Sequence, residues 1–320
     1  MKILVAGGAG YIGSRVTDDL WSQGHDVTVL DLLLFGGESI VHLVNRPRFN
    51  LVRGDIRDEA TLQQVMPGHD AVVLLAAIVG EPACDRDKAL AIDTNLGGAR
   101  AVLANASEAG VGRFVFASTC SNYGISDPNG LVDEQAPLRP LSTYSESKVT
   151  AENEILAAGG ADFHPTVLRF STAFGVSGRM RFDLLVSDFT LAAVRDHKLV
   201  IYGEQFWRPF VHVEDISTSI QRVLEADPAF VSGQVFNVGS NEANTQKVEL
   251  ARGVQRHVSG TDIEFVKRDT DPRSYRVDFR KIERALGFKA KWSVDDGIRE
   301  VHDCLKTGLW KDPSDAKYYN

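Results

Sequence analysis

The chain has 320 residues, 43% of them hydrophobic and 24% charged, with a formal net charge of -8. This balance is that of a folded globular protein and excludes disordered or fibrous classes. It also argues against a nucleic-acid partner, which would call for clustered Lys and Arg. Length suits two joined lobes with a cleft between them. Cys84, Cys120 and Cys304 are far apart and have no metal-ligand spacing, so no metal is expected and a reducing, cytoplasmic setting fits. Met1–Ala6 runs straight into glycine, leaving no room for a signal peptide, and the longest apolar run, Ala71 to Val79, is too short to cross a bilayer. No membrane partner is expected.

In chain order, the first apolar run, Lys2–Ala6, predicts a strand. It leads directly into Gly7-Gly8-Ala9-Gly10-Tyr11-Ile12-Gly13 and then a helical stretch over Ile12–Gln23. Strand, glycine loop and helix in that order are the context of a dinucleotide fingerprint. Gly7 allows the tight turn, Gly10 the approach of backbone to a pyrophosphate, and Gly13 the close packing of helix on strand. The helix N-terminus offers unpaired N–H groups and a positive dipole end to phosphate. A second strand is expected over Val27–Asp31. Asp31 stands where a carboxylate accepts the adenosine ribose hydroxyls and repels a 2′-phosphate, and no basic residue follows in Leu32–Phe35. NAD is therefore expected over NADP.

Further strands are predicted at Asn50–Arg53, Ala71–Ala76, Arg113–Ser118 and Thr166–Phe170, with helices over Thr94–Ala109 and Thr143–Ala158. Short apolar runs alternating with amphipathic stretches predict parallel strands linked by crossover helices. In the last of these helices Tyr144 and Lys148 lie four residues apart, hence on one face. A phenol ionises near pH 10. A nearby ammonium and a positively charged nicotinamide would lower that value and let Tyr144 serve as a base. After Phe170 the rhythm becomes irregular. A helix is expected near Phe182–Arg195, a buried strand at Val235–Val238, and helices at Lys281–Leu286 and Asp295–Leu305. The expected fold is α/β, a Rossmann-type doubly wound parallel sheet with a smaller, discontinuous C-terminal substrate lobe. Residues 1–171, with 209–239 returning to them, would form the NAD-binding domain, and 172–208 with 240–320 the substrate lobe.

Taken together, Gly7–Gly13, Gly54-Asp55-Ile56, Leu75-Ala76-Ala77, Asn95, Ser118–Gly124, Tyr144–Lys148, Leu168-Arg169-Phe170, Arg208–Asp215 and Phe236–Gly239 resemble the extended short-chain dehydrogenase/reductase family, the nucleotide-sugar epimerases and dehydratases. That resemblance implies that Asp55 and Ile56 line the adenine pocket. It places Leu75, Ala76, Ala77, Asn95, Ser118 and Phe170 near the cofactor, with Tyr11 and Ile12 in the loop that carries it. It also implies a catalytic set of Thr119, Tyr144 and Lys148, with Arg208 and Arg273 gripping a nucleotide diphosphate and Thr172 facing the sugar.

This sequence departs from the family pattern in two places. Dehydratases carry Asp-Glu after the catalytic Thr, where this chain has Cys120-Ser121. Cys120 is either an acid/base thiol, as in some relatives, or a buried inert one. Many epimerases carry Asn, contacting the sugar nucleotide, where this chain has Ser171-Thr172. The expected activity is an NAD-dependent epimerase acting on a nucleotide-diphosphate sugar. The alternatives are a 4-keto reductase, a cysteine-dependent dehydratase/5-epimerase, or a catalytically silent dinucleotide sensor. A homodimer built from the helices near 94–109 and 143–158 is implied by the same resemblance. His212 is expected to be a structural strand residue.

Overall fold

A computed structural model describes residues 1–127, 130–266 and 273–320. Its strands are β1 (Lys2–Ala6), β2 (Asp26–Asp31), β3 (Phe49–Arg53), β4 (Ala71–Leu74), β5 (Arg113–Thr119), β6 (His164–Phe170), β7 (Thr172–Phe174), β8 (Lys198–Tyr202), β9 (Trp207–His212), β10 (Gln234–Val238), β11 (Asn244–Gln246) and β12 (Asp262–Val266). Helices of the first half are α1 (Tyr11–Ser22), α2 (Glu59–Val65), α3 (Glu81–Arg86), α4 (Lys88–Ile92), α5 (Gly98–Glu108) and α6 (Thr143–Ala157). Those of the second half are α7 (Leu185–Asp196), α8 (Val213–Glu225), α9 (Pro228–Val231), α10 (Lys247–His257), α11 (Arg280–Leu286) and α12 (Val294–Lys306). Among the described residues no helix is long and apolar enough to cross a membrane.

Seven parallel strands form one sheet in the order β10-β6-β5-β4-β1-β2-β3. The strands read as continuous apolar runs because both faces are covered. In β1 the alternation is plain: Ile3 and Val5 enter the core shared with Val16 and Leu20 of α1 and Ile220 of α8. Leu4 and Ala6 enter the opposite core, shared with Leu62 of α2, Val102 of α5 and Ala151 of α6. Strand order reverses between β1 and β4, and a doubly wound sheet opens its ligand crevice at such a point, beyond the carboxyl ends of the strands. The loops after β1, β2, β4 and β5 all empty there.

The smaller lobe is built from the sheet β11-β9-β7 and the pair β12-β8, covered by α7, α10 and α12 around Phe174, Val186, Phe210, Leu250 and Ile298. The chain re-enters the large sheet's layers later than the pattern of apolar runs suggests. Residues 209–212 belong to β9, which pairs with β7 on one side and β11 on the other, and the return begins at α8, packed against α1. Within 240–320, Ile282 of α11 and Phe288 pack into the core of the large sheet rather than the small lobe.

Candidate active site

The glycine loop is shaped by steric necessity. Gly7 has φ +88°, and a Cβ there would sit 2.6 Å from the Ala76 nitrogen, so β1 and β4 approach too closely for any side chain. A Cβ on Gly13 would collide with the Gly7 carbonyl. No side chain caps α1, and its first turn holds no acidic residue. The free amides are thus left for an anion. Asp31 braces the loop from the end of β2, accepting hydrogen bonds from the amides of Ala9 (2.9 Å) and Leu33 (2.8 Å).

A single cavity of about 1140 Å³ brings together nearly all the cofactor residues expected from sequence: Gly7, Gly10, Tyr11, Ile12, Gly13, Asp31, Asp55, Ile56, Leu75, Ala76, Ala77, Ser118, Tyr144, Lys148 and Phe170. Asp55 is ion-paired with Arg57 (2.6 Å), whose hydrogen bonds hold its carboxyl below the usual range. Asn95 stands apart. It is buried off the cavity, in the π-helical turn that precedes α5, and exchanges hydrogen bonds with both the amide (2.8 Å) and the carbonyl (2.9 Å) of Ile78. It positions the loop that lines the cavity instead of lining it.

Thr119, Tyr144 and Lys148 all form part of the cavity wall. Ser142 and Ser145 cap α6 reciprocally, fixing where the helix starts and hence the direction of Tyr144. Lys148 lies one turn on, its Nζ donating to the Ala117 carbonyl (2.9 Å) and sitting 5.9 Å from the centre of the Tyr144 ring. Burial draws the Lys148 ammonium down to about 8, against the upward pull of Glu152. Burial pushes the Tyr144 phenol up, while Arg181 and Arg273 pull it the other way. The Thr119 hydroxyl accepts from the Ser121 amide (3.1 Å), which leaves its proton free to donate.

Behind this wall lies a buried polar group that sequence reading missed. Glu152, one turn beyond Lys148, accepts from Ser118 Oγ, from Asn122 Nδ2 (2.7 Å) and from Arg169 (2.8 Å). Arg169 also donates to the Tyr123 hydroxyl (3.0 Å).

Cys120 points out of the cavity. It is 1% exposed, its thiol donates to the Arg169 carbonyl (3.2 Å), and burial pushes it up to about 12. A thiol so placed neither reaches a bound substrate nor ionises near neutral pH, so the geometry gives no support to a cysteine acid/base. β5 ends at Thr119, and in the 3-10 turn Cys120–Tyr123 that follows, Ser121 lines the cavity while Cys120 and Tyr123 pack into the core.

Thr172, Arg208 and Arg273 line the same cavity. Arg208 is nearly fully buried and donates to the carbonyls of Trp207 (2.9 Å) and Arg273. Arg273 forms an ion pair with Glu81 (3.0 Å), while Asp271 and Pro272 beside it lie outside the described residues. Tyr275 stands beside Arg208 and Ser121, with Ser121 Oγ 3.3 Å from the Tyr275 hydroxyl. Arg179 and Arg181 also line the cavity, Arg179 against Phe35 in the loop after β2, and neither arginine was singled out from the sequence. His212 is a core residue, stacked on Trp292 and 3.0 Å from Glu300.

The model of the NAD dependent epimerase/dehydratase family matches residues 3–239. A dTDP-glucose 4,6-dehydratase of Streptomyces griseus is 34% identical over 311 residues, covering 92% of this chain and 91% of the relative. A UDP-glucose 4-epimerase of Lactobacillus helveticus is 32% identical, covering 93% and 95%. Among solved structures, the dTDP-glucose 4,6-dehydratase DesIV of Streptomyces venezuelae, crystallised with NAD bound, superposes with a TM-score of 0.86 at 28% identity, over 98% of this chain and 99% of the other.

Proposed function

Because the chain belongs to the NAD dependent epimerase/dehydratase family, and is thus an NAD-dependent enzyme, we propose that it is an epimerase acting on a nucleotide-diphosphate sugar. One observation favours epimerisation over loss of water: among the described residues, the buried or half-buried side-chain carboxylates that line the cavity are all held by partners. Asp31 is held by two amides, Asp55 by Arg57, Glu81 by Arg273 and Asp183 by Arg181, while Asp85 is an exposed side chain 3.6 Å from Lys88. The positions after Thr119 hold a core thiol and a hydroxyl. Relatives that perform dehydration and relatives that perform epimerisation match the chain about equally well, so the cavity's own chemistry carries the choice.

The residues present fit NAD: a loop too tight for side chains, uncapped helix amides and a fixed carboxylate at the end of β2. When bound, the cofactor supplies a reversible hydride acceptor for a ring carbon. Tyr144 takes the proton of the hydroxyl on that carbon and returns it. Lys148 lowers the cost of the phenolate by its charge, and Thr119 donates to the same sugar oxygen and holds it in place. Arg208 and Arg273 bind the diphosphate, and Thr172 borders the sugar. A homodimer along α5 and α6 belongs to the same reading.

Incubation with a panel of UDP- and dTDP-linked sugars, followed by chromatography and NMR, tests this. An epimer formed without net NADH turnover is expected. A product lighter by one water would overturn the epimerase reading, and steady NADH consumption would favour a keto-reductase.

In calorimetry NAD is expected to bind about tenfold or more tightly than NADP, because the Asp31 carboxylate would face a 2′-phosphate. Equal affinities would remove Asp31 from the ribose site. Replacing Cys120 by Ser is expected to leave turnover near normal and to cost about 1 kcal/mol in urea unfolding. A loss of turnover as deep as that of a Tyr144 variant would instead make the thiol a participant.

A further inference from the structure

The segment between β7 and α7 folds back onto the glycine loop. Ser177 donates to the Tyr11 carbonyl (2.6 Å) and lies 2.9 Å from Ser14 Oγ of α1. Gly178 packs so closely on Ser39 that a Cβ would stand 3.0 Å from its carbonyl, and Ser39 in turn donates to the Ala9 carbonyl (2.8 Å). These tethers place Arg179 over the cofactor end of the cavity, its guanidinium carbon 3.8 Å from the centre of the Phe35 ring.

Arg179 is 7% exposed, and among the described residues it has no carboxylate within ion-pair distance. Among the described residues its Nη2 donates to the Tyr319 carbonyl (3.3 Å) and its buried Nε has no acceptor. Burial and the neighbouring Arg181 charge draw it down to about 10. A buried guanidinium so placed calls for an anion. The Asp183 carboxylate pulls the Arg179 value the other way, but it is itself ion-paired with Arg181 (2.5 Å) and does not reach Arg179 within ion-pair distance. Ser177, two residues before Arg179, ties this segment to the uncapped N-terminus of α1, a feature built for an anion.

We propose that Arg179 binds the pyrophosphate of NAD from the substrate-lobe side, opposite the α1 amides, with Phe35 holding the guanidinium plane. The segment then couples the two lobes through the cofactor itself. Arg208 and Arg273 cluster instead with Ser121 and Tyr275, so the cofactor's and the substrate's diphosphates would have separate arginines.

Calorimetry with NAD, ADP-ribose, adenosine, UDP and dTDP tests the assignment on wild type, Arg179→Gln and Arg179→Lys. For Arg179→Gln, NAD and ADP-ribose should weaken by about tenfold or more, the scale of a charge-assisted hydrogen bond. Adenosine, UDP and dTDP should be unchanged, and the salt dependence of NAD binding should flatten. The lysine variant, which keeps the charge without the planar fork, should fall in between, and it carries the same test should the glutamine variant not fold. Unchanged NAD affinity would overturn the proposal. So would parallel losses for adenosine, which would make Arg179 a packing residue for Phe35, or losses confined to UDP and dTDP, which would assign it to the substrate. The inference rests on NAD occupying this cavity: a wild-type protein that binds neither NAD nor ADP-ribose would overturn that premise and the proposal together, whereas a different sugar product would leave it standing.

Discussion

Replacing Tyr144 by Phe is expected to lower turnover by about a hundredfold or more, the scale of losing a positioned general base, while leaving affinity for the sugar nucleotide nearly unchanged. The substitution keeps the ring against the cavity wall and removes only the hydroxyl. Neither Ser142, which fixes the start of α6, nor Lys148, whose amine is held by the Ala117 carbonyl, depends on that oxygen. An interaction made mainly in the transition state shows itself as a fall in kcat with little change in KM. Steady-state kinetics on the substrate found in the sugar panel, with NAD affinity as a control, separates the cases. A variant within a few-fold of wild type would sink the mechanism. A variant with intact kcat but a raised KM would make Tyr144 a binding group.

Replacing Glu152 by Ala is expected to destabilise the fold by about 3–5 kcal/mol, because it leaves the Arg169 guanidinium buried without its counter-ion. The two side chains are 1% and 6% exposed. Burial works against the charge of Arg169, but the hydrogen bonds and charge of Glu152 outweigh it and hold the group above its ordinary value. Ser118 Oγ loses its acceptor in the same stroke, and Asn122 Nδ2 keeps only its longer bond to Ser118 Oγ (3.2 Å). A protein of this kind has about 5–15 kcal/mol of total stability, so such a loss leaves it marginal. Urea unfolding read by circular dichroism measures it. A loss under about 1 kcal/mol would mean that Arg169 finds water or another acceptor, and that the pair behind the active-site wall is incidental.

The sequence by itself determined the large sheet. Strand runs at 2–6, 27–31 and 113–118 fall on β1, β2 and β5 with ends moved by at most a residue, because a strand buried on both faces must be apolar throughout whatever its neighbours. The glycine loop and the Tyr144–Lys148 pair were legible for a related reason: their geometry is local, set by φ at one residue or by a single helical turn. Pairings between distant segments left no such trace. Nothing in the run from Trp207 to His212 says that it pairs with β7 and β11 rather than joining the large sheet. Asn95 is a cavity residue by motif yet binds the Ile78 backbone, and the 3-10 turn after β5 puts Cys120 in the core while Thr119 and Ser121 line the cavity. Glu152 meets Arg169 across 17 residues, and Arg179 meets Phe35 across 144. Only the tertiary structure decided these, since the energy of a buried charge depends on which groups the folded chain brings within a few ångströms of it, and sequence separation does not encode that distance.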